Sequence, residues 1–176
     1  MDSFTENGVS YEWEFEPDRD SFKRIMVESF YHCYKDLTKD VLKVNSDLKE
    51  WLSQHFSDEF IDGLKNPESP FRLLAAKVDR IPAGYAIFDV SRYPDLVYIS
   101  ELSVDPAFQR RGIGKQLVFS ILKPLPQTVR LVLITRKANF QACAFYPSIG
   151  FKYSDYIHEG YDPELYIGFE YKNKKG

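Results

Sequence analysis

The stretch Val97-Tyr-Ile-Ser-Glu-Leu-Ser-Val-Asp-Pro-Ala-Phe-Gln-Arg-Arg-Gly-Ile-Gly-Lys115 decides how this chain is read. An apolar strand breaks at Asp105-Pro106, and a basic turn with two glycines then opens an amphipathic helix. The first turn of a helix has unpaired amide donors, and its macrodipole adds about half a positive charge there. Gly112 and Gly114 carry no side chain to hold a ligand away from those amides. Arg110, Arg111 and Lys115 add positive charge at the same point. The turn is suited to an anion.

Two familiar phosphate loops do not fit. A P-loop would require glycine at Gln109 and serine or threonine at Gln116. A dinucleotide fingerprint beginning at Gly112 would require a third glycine at Leu117.

The surroundings fit one mixed α/β domain over residues 1–176, with flexible ends at roughly 1–8 and 172–176. Tyr11–Phe15 alternates aromatic and acidic residues as a half-buried strand does. Phe22, Ile25, Met26, Phe30 and Cys33 mark one apolar helix face. A second helix is expected from about Ser46, with Leu48, Trp51, Leu52, Phe56 and Leu64 inward and two prolines after it. Phe71–Val78 and Ile81–Val90 read as a hairpin, followed by the strand Leu96–Val104. Beyond the glycine turn come a helix stopped by Pro124 and Pro126, a buried strand Val129–Thr135 and a helix over Asn139–Ser148. A strand beginning at Gly150-Phe151 and a last strand Tyr166–Tyr171 complete the order β-α-α-β-β-β-α-β-α-β-β.

Composition narrows the functional classes. Hydrophobic residues make up 44% of the 176, enough for a sizeable core, and the net charge is −3. Nucleic-acid-binding domains usually present a basic face, so no nucleic-acid partner is expected. No apolar run approaches the ~18 residues that span a membrane, and the polar start Met1–Glu6 does not read as a signal peptide. Cys33 and Cys143 stand far apart with three scattered histidines, so the expectation is two buried free thiols, no metal site and a cytoplasmic protein.

A second motif, Asn139-Phe-Gln-Ala-Cys-Ala-Phe-Tyr146-Pro-Ser-Ile-Gly-Phe151, sharpens the anion site. Asn139 and Tyr146 lie two helical turns apart and share a face with Ala142 and Cys143. An amide at one end, a phenol at the other and small residues between suit a ligand lying along the helix. The two segments together resemble the GNAT superfamily of acyl-CoA N-acetyltransferases. That family's pattern is Gln-x-x-Gly-x-Gly, a strand, then Asn-x-x-Ala-x-x-Phe-Tyr and a Gly-Phe ending. The match is close over Phe71–Phe151 and holds only in element order before it.

The resemblance implies acetyl-CoA as co-substrate and an amine-bearing acceptor, with no metal. The chain would act as a monomer or homodimer. It implies that backbone groups of Leu102, Ser103 and Val104 pair with the pantetheine arm where Leu96–Val104 and Val129–Thr135 splay apart. Gln109, Arg110, Arg111, Gly112, Ile113, Gly114 and Lys115 would hold the pyrophosphate, and Asn139 would touch the pantetheine. Tyr146 would lie by the thioester sulfur as the proton donor to the departing thiolate, because a phenol is protonated at neutral pH. Glu101, the only charge in Leu96–Val104, is the general-base candidate, directly or through water. Asp105 reads as a turn residue, Cys143 need not be a nucleophile, and His32, His55 and His158 are weaker polar candidates. The expected activity is transfer of an acetyl group to a primary amine by direct attack. The alternative is a non-catalytic acyl-CoA-binding or sensing module.

Overall fold

The computed structural model describes residues 3–14 and 16–173. Eight strands form one mixed sheet in the order β1-β2-β3-β4-β5-β6-β8-β7. They are β1 (Phe4–Glu6), β2 (Val9–Glu14), β3 (Phe71–Val78), β4 (Ile81–Asp89), β5 (Leu96–Val104), β6 (Arg130–Arg136), β7 (Lys152–Ser154) and β8 (Tyr166–Lys172). The helices are α1 (Arg19–Tyr34), α2 (Lys39–Leu42), α3 (Leu48–His55), α4 (Asp58–Lys65), α5 (Ile113–Ser120) and α6 (Phe140–Ser148). Every neighbouring pair of strands is antiparallel except β5 and β6.

The structure departs from the expected pattern at the first strand, the second helix and the cysteines. The strand expected over Tyr11–Phe15 runs Val9–Glu14, and Phe15 lies outside the described residues. The ends, 1–8 and 172–176, lie partly outside the described residues, at 1–2 and 174–176; within the rest, Phe4–Glu6 pairs with β2 and Lys172 with Arg130. The second helix expected from about Ser46 is two short ones, α3 and α4, and the four-residue α2 precedes them. Ser57 adopts extended backbone and caps α4 by accepting from the Phe60 amide at 3.3 Å, which breaks the run after Phe56. Upstream, Thr38 caps α2 and Asp47 caps α3 in the same way. The cysteines are free, but both are half-buried rather than buried.

Each face of the sheet has its own apolar layer. Leu74, Ala76, Ala86, Phe88, Val97 and Ile99 pack with Ile113, Leu117, Val118 and Tyr146 from α5 and α6. On the opposite face Leu73, Ala75, Tyr85 and Ile87 pack with Phe22, Ile25 and Met26 of α1 and with Leu52, Phe56 and Ile61 from the α3–α4 region. The alternation follows from the pleat, which points successive side chains to opposite faces.

That alternation slips once in β5. Ile99 lies opposite Phe88, but the next pair is Glu101 opposite Ile87, so Ser100 is an extra residue. A bulge of this kind reverses the facing of everything beyond it and bends the strand. Val97 and Ile99 face α5 before the bulge, and Leu102 and Val104 face it after. Glu101 therefore joins the opposite face, beside α3.

The register also places a glycine, Gly84. A Cβ at Gly84 would lie 2.7 Å from the Ser103 backbone oxygen, so the β4–β5 pairing next to the glycine turn needs glycine there. Gly84→Ala is expected to lower unfolding stability by about 1–3 kcal/mol. Gly63→Ala, inside α4 with open space around its Cβ position, should raise it by about 0.4–1 kcal/mol. Urea denaturation checks both; a neutral Gly84→Ala would contradict the register.

Candidate active site

β5 and β6 are parallel and paired only from Leu96↔Arg130 to Tyr98↔Val132. Beyond that point the two strands separate, and among the described residues no strand lies beside the edge of β5 from Ile99 to Val104 on the β6 side. A strand edge without a partner offers amide donors and carbonyl acceptors to anything extended that lies along it. Leu102, Ser103 and Val104 lie on this edge, as the sequence motif implied.

The glycine turn follows directly. Asp105 accepts from the Ala107 amide at 2.9 Å and caps a short 3-10 turn over Pro106–Phe108. The other carboxylate oxygen of Asp105 pairs with Arg24 of α1 at 2.6 Å, which ties the turn to the first helix. Its reading as a turn residue holds. The Gln109 side chain donates to the Val104 carbonyl at 3.1 Å. Arg110 at φ 64 and Gly112 at φ 81 take left-handed backbone, and Gly112 caps α5 with no side-chain hydrogen bond. Space around Gly112 is open, whereas a Cβ on Gly114 would press on Phe145 at 3.3 Å. The glycines thus have different tasks: Gly112 permits the turn, and Gly114 lets α5 approach α6. Among the described residues, no carboxylate forms an ion pair with Arg110, Arg111 or Lys115, and all three are exposed. Arg111 lies over the Phe108 ring at 5.2 Å.

The separation of the strands opens a cavity of about 330 Å³ whose walls come from both faces of the sheet. Asn139, Ala142 and Tyr146 line it from α6, and Glu101 and Leu102 from β5. His55 and Trp51 of α3, Tyr34 of α1, Tyr98 of β5, Arg136 of β6 and Tyr161 and Tyr166 are among the other polar and aromatic residues of its wall. Glu101 and Tyr146 are thereby brought to one cavity from opposite sides of the sheet. Burial, followed by the nearby Glu101 charge, raises the Tyr146 phenol above its ordinary range, so it holds its proton.

Asn139 has a structural role as well. Its side-chain oxygen accepts from the Ala142 amide at 3.0 Å, capping α6, and its side-chain nitrogen donates to the Tyr34 hydroxyl at 3.4 Å. One donor position on that nitrogen remains for a ligand.

His55, a minor candidate by sequence, sits at the centre. Its Nε2 lies 3.4 Å from a Glu101 carboxylate oxygen, and the ring packs edge-on against Phe56 at 4.8 Å. The bond to Glu101 raises the His55 pKa above its ordinary value against the opposing effects of burial and Arg136. Only helical position marked His55 in the sequence, and nothing local linked it to Glu101. His158 is elsewhere, stacked on Tyr98 at 4.6 Å in an adjoining cavity of about 330 Å³. His32 lines neither cavity. Burial raises the thiol pKa of Cys143, which argues against a thiolate nucleophile there. Among the described residues, no three His, Cys, Asp or Glu side chains are grouped to hold a metal ion, and no helix is long and apolar enough to cross a membrane.

The fold has counterparts among known proteins. No curated protein matches the chain. Among solved structures, the PaiA N-acetyltransferase of Thermoplasma acidophilum, crystallised with coenzyme A, superposes with a TM-score of 0.75 at 17% identity, over 94% of this chain and 99% of that one. An acetyltransferase of Thermus thermophilus superposes with a TM-score of 0.66 at 17% identity, over 94% and 97%. The ribosomal-protein-S18-alanine N-acetyltransferase of Escherichia coli gives 0.62 at 18% identity, over 93% of each chain. At these identities the likeness establishes the fold. The family model for the acetyltransferase (GNAT) family matches residues 19–151, a span that takes in α1, the separated strands, the glycine turn and α6. The chain belongs to the GNAT family and is an acyltransferase of that family.

Proposed function

We propose that the protein transfers an acetyl group from acetyl-CoA to a primary amine by direct attack, without a covalent enzyme intermediate. The observation that carries this reading is the meeting of the Glu101–His55 pair and Tyr146 in one cavity, at the gap between β5 and β6. The residues present fit the co-substrate. A strand edge with no neighbouring strand, an open left-handed glycine at the start of α5 and three exposed cations with no ion pair, all among the described residues, succeed one another along the chain. The family and fold support the same assignment, as does the composition for a cytoplasmic protein of one domain.

Acetyl-CoA, when bound, supplies a thioester carbonyl. Residues Gln109 to Lys115 hold its pyrophosphate, with Arg110, Arg111 and Lys115 as counter-charge. The edge of β5 at Leu102, Ser103 and Val104 positions the pantetheine, and Asn139 contacts it from α6. Glu101, with His55 hydrogen-bonded to it, takes the proton from the attacking amine. As the nitrogen–carbon bond forms and the carbon–sulfur bond breaks, Tyr146 gives its proton to the leaving sulfur and regains one from the solvent. Its raised pKa suits a donor that must not ionise beforehand.

Saturating acetyl-CoA at about 100 times its dissociation constant should stabilise the protein by roughly 2.7 kcal/mol, read as a rise in Tm. Release of free CoA thiol across an amine panel measures turnover. Stabilisation without acetylation of any amine would indicate a binding or sensing module, and absence of both would overturn the proposal. Tyr146→Phe is expected to lower kcat by about 10²-fold or more, and Gly112→Ala to weaken acetyl-CoA binding because its φ of 81 strains a side chain.

The His55–Glu101 pair also sets a pH dependence. The folded His55 pKa lies above its unfolded value near 6.5, so its contribution to stability is complete below about pH 6.5 and is lost as pH rises through the folded value. Activity follows the opposite course, since the pair must be deprotonated to accept a proton. The acid limb of kcat/KM should fall above pH 6.5 in the native protein. In Glu101→Gln, NMR titration should show the His55 pKa moving down, together with a loss of turnover. An unchanged His55 titration would remove the pair from the mechanism.

A further inference from the structure

Arg136 ends β6 inside the cavity, and nothing in the proposed acetyl transfer uses it. One of its guanidinium nitrogens donates to the Leu42 carbonyl at the end of α2, where a helix has no internal donor to offer. The group is fixed on two further sides, lying 5.2 Å from the Trp51 ring and 5.4 Å from the Tyr166 ring. Three elements therefore hold one charged plane in place.

Its charge has no internal counterpart. Among the described residues, no carboxylate lies within ion-pair distance of Arg136, although Glu101 lines the same cavity. Glu101 is bonded to His55 instead. The same cavity thus presents an acidic pair at one place and a clamped, unneutralised guanidinium at another. A guanidinium offers parallel N–H donors that match both oxygens of a carboxylate, and a fixed one loses little freedom on pairing. Burying it against a neutral, apolar acceptor would leave that charge unsatisfied.

We propose that the acceptor is a small amine that also carries a carboxylate, of the amino-acid class. Its carboxylate pairs with Arg136 and its nitrogen is directed to Glu101 and His55. This inference rests on the acetyl-transfer reading and adds the substrate class to it. The rings of Trp51, Tyr98, Tyr161 and Tyr166 line the same cavity and would surround an apolar side chain between the two charged ends.

The test compares each amino acid with the amine left by removing its carboxylate, such as phenylalanine with phenethylamine, in the CoA-release assay. The carboxylate-bearing member is expected to have the higher kcat/KM by about 10- to 100-fold. In Arg136→Gln that ratio should fall towards one, and in Arg136→Lys it should be intermediate, because the charge remains but the planar fork is lost. Retention of the Tm rise with acetyl-CoA in both variants shows that they still fold. If either fails to fold, the ratio measured in the native protein decides alone. Plain amines acetylated as well as or better than their carboxylated partners would overturn the acceptor class and leave acetyl transfer standing. Failure of acetyl-CoA to bind or turn over with any amine would instead overturn acetyl transfer itself, and this inference with it.

Discussion

The organisation of the molecule depends on one local irregularity, the extra residue Ser100 in β5. In an uninterrupted strand, Glu101 would follow the facing of Val97 and Ile99, into the layer beneath α5. The bulge transfers it to the other face, where His55 meets it, and returns Leu102 and Val104 to the α5 layer. The same strand leaves its parallel partner immediately before the bulge, after Tyr98↔Val132. A single displaced residue thus accompanies both the opening in the sheet and the acidic group that faces it.

The opening brings together groups that the sheet would otherwise keep apart. Tyr146 belongs to the α5–α6 layer and Glu101 faces the helices on the other side, yet both line one cavity and the charge of one affects the other. Burial shapes the electrostatics throughout. It keeps the phenols of Tyr34, Tyr98 and Tyr146 protonated, while His55 is favoured in its charged form only because Glu101 outweighs its own desolvation.

The glycine turn was legible because its conformational requirements are local. Gly112 stands where the backbone needs a positive φ, Asp105-Pro106 makes a capped turn, and an apolar stripe follows at helical spacing. Asn139 to Tyr146 was legible for the same reason, although the capping of α6 by Asn139 and its bond to Tyr34 were not part of that reading. The divided second helix shows the limit of pattern. Leu48, Leu52, Phe56 and Leu64 sustain an apolar face across Ser57, but Ser57 caps a new helix there, and periodicity alone does not register the break.

The amino-acid sequence by itself determined the succession of elements from α1 onward apart from α2 and the divided second helix, the β3–β4 hairpin, the glycine turn opening α5 and the later helix α6. These follow from hydrophobic period, turn chemistry and capping, which act over a few residues. Only the tertiary structure decided which way Glu101 points, that His55 is its partner, and that Arg136 stands clamped and unneutralised in the same cavity. Those outcomes depend on register between strands and on contacts such as His55 with Glu101 and Arg136 with Leu42, which join distant parts of the chain. A bulge changes facing without leaving a mark in the hydrophobic pattern strong enough to be read in advance.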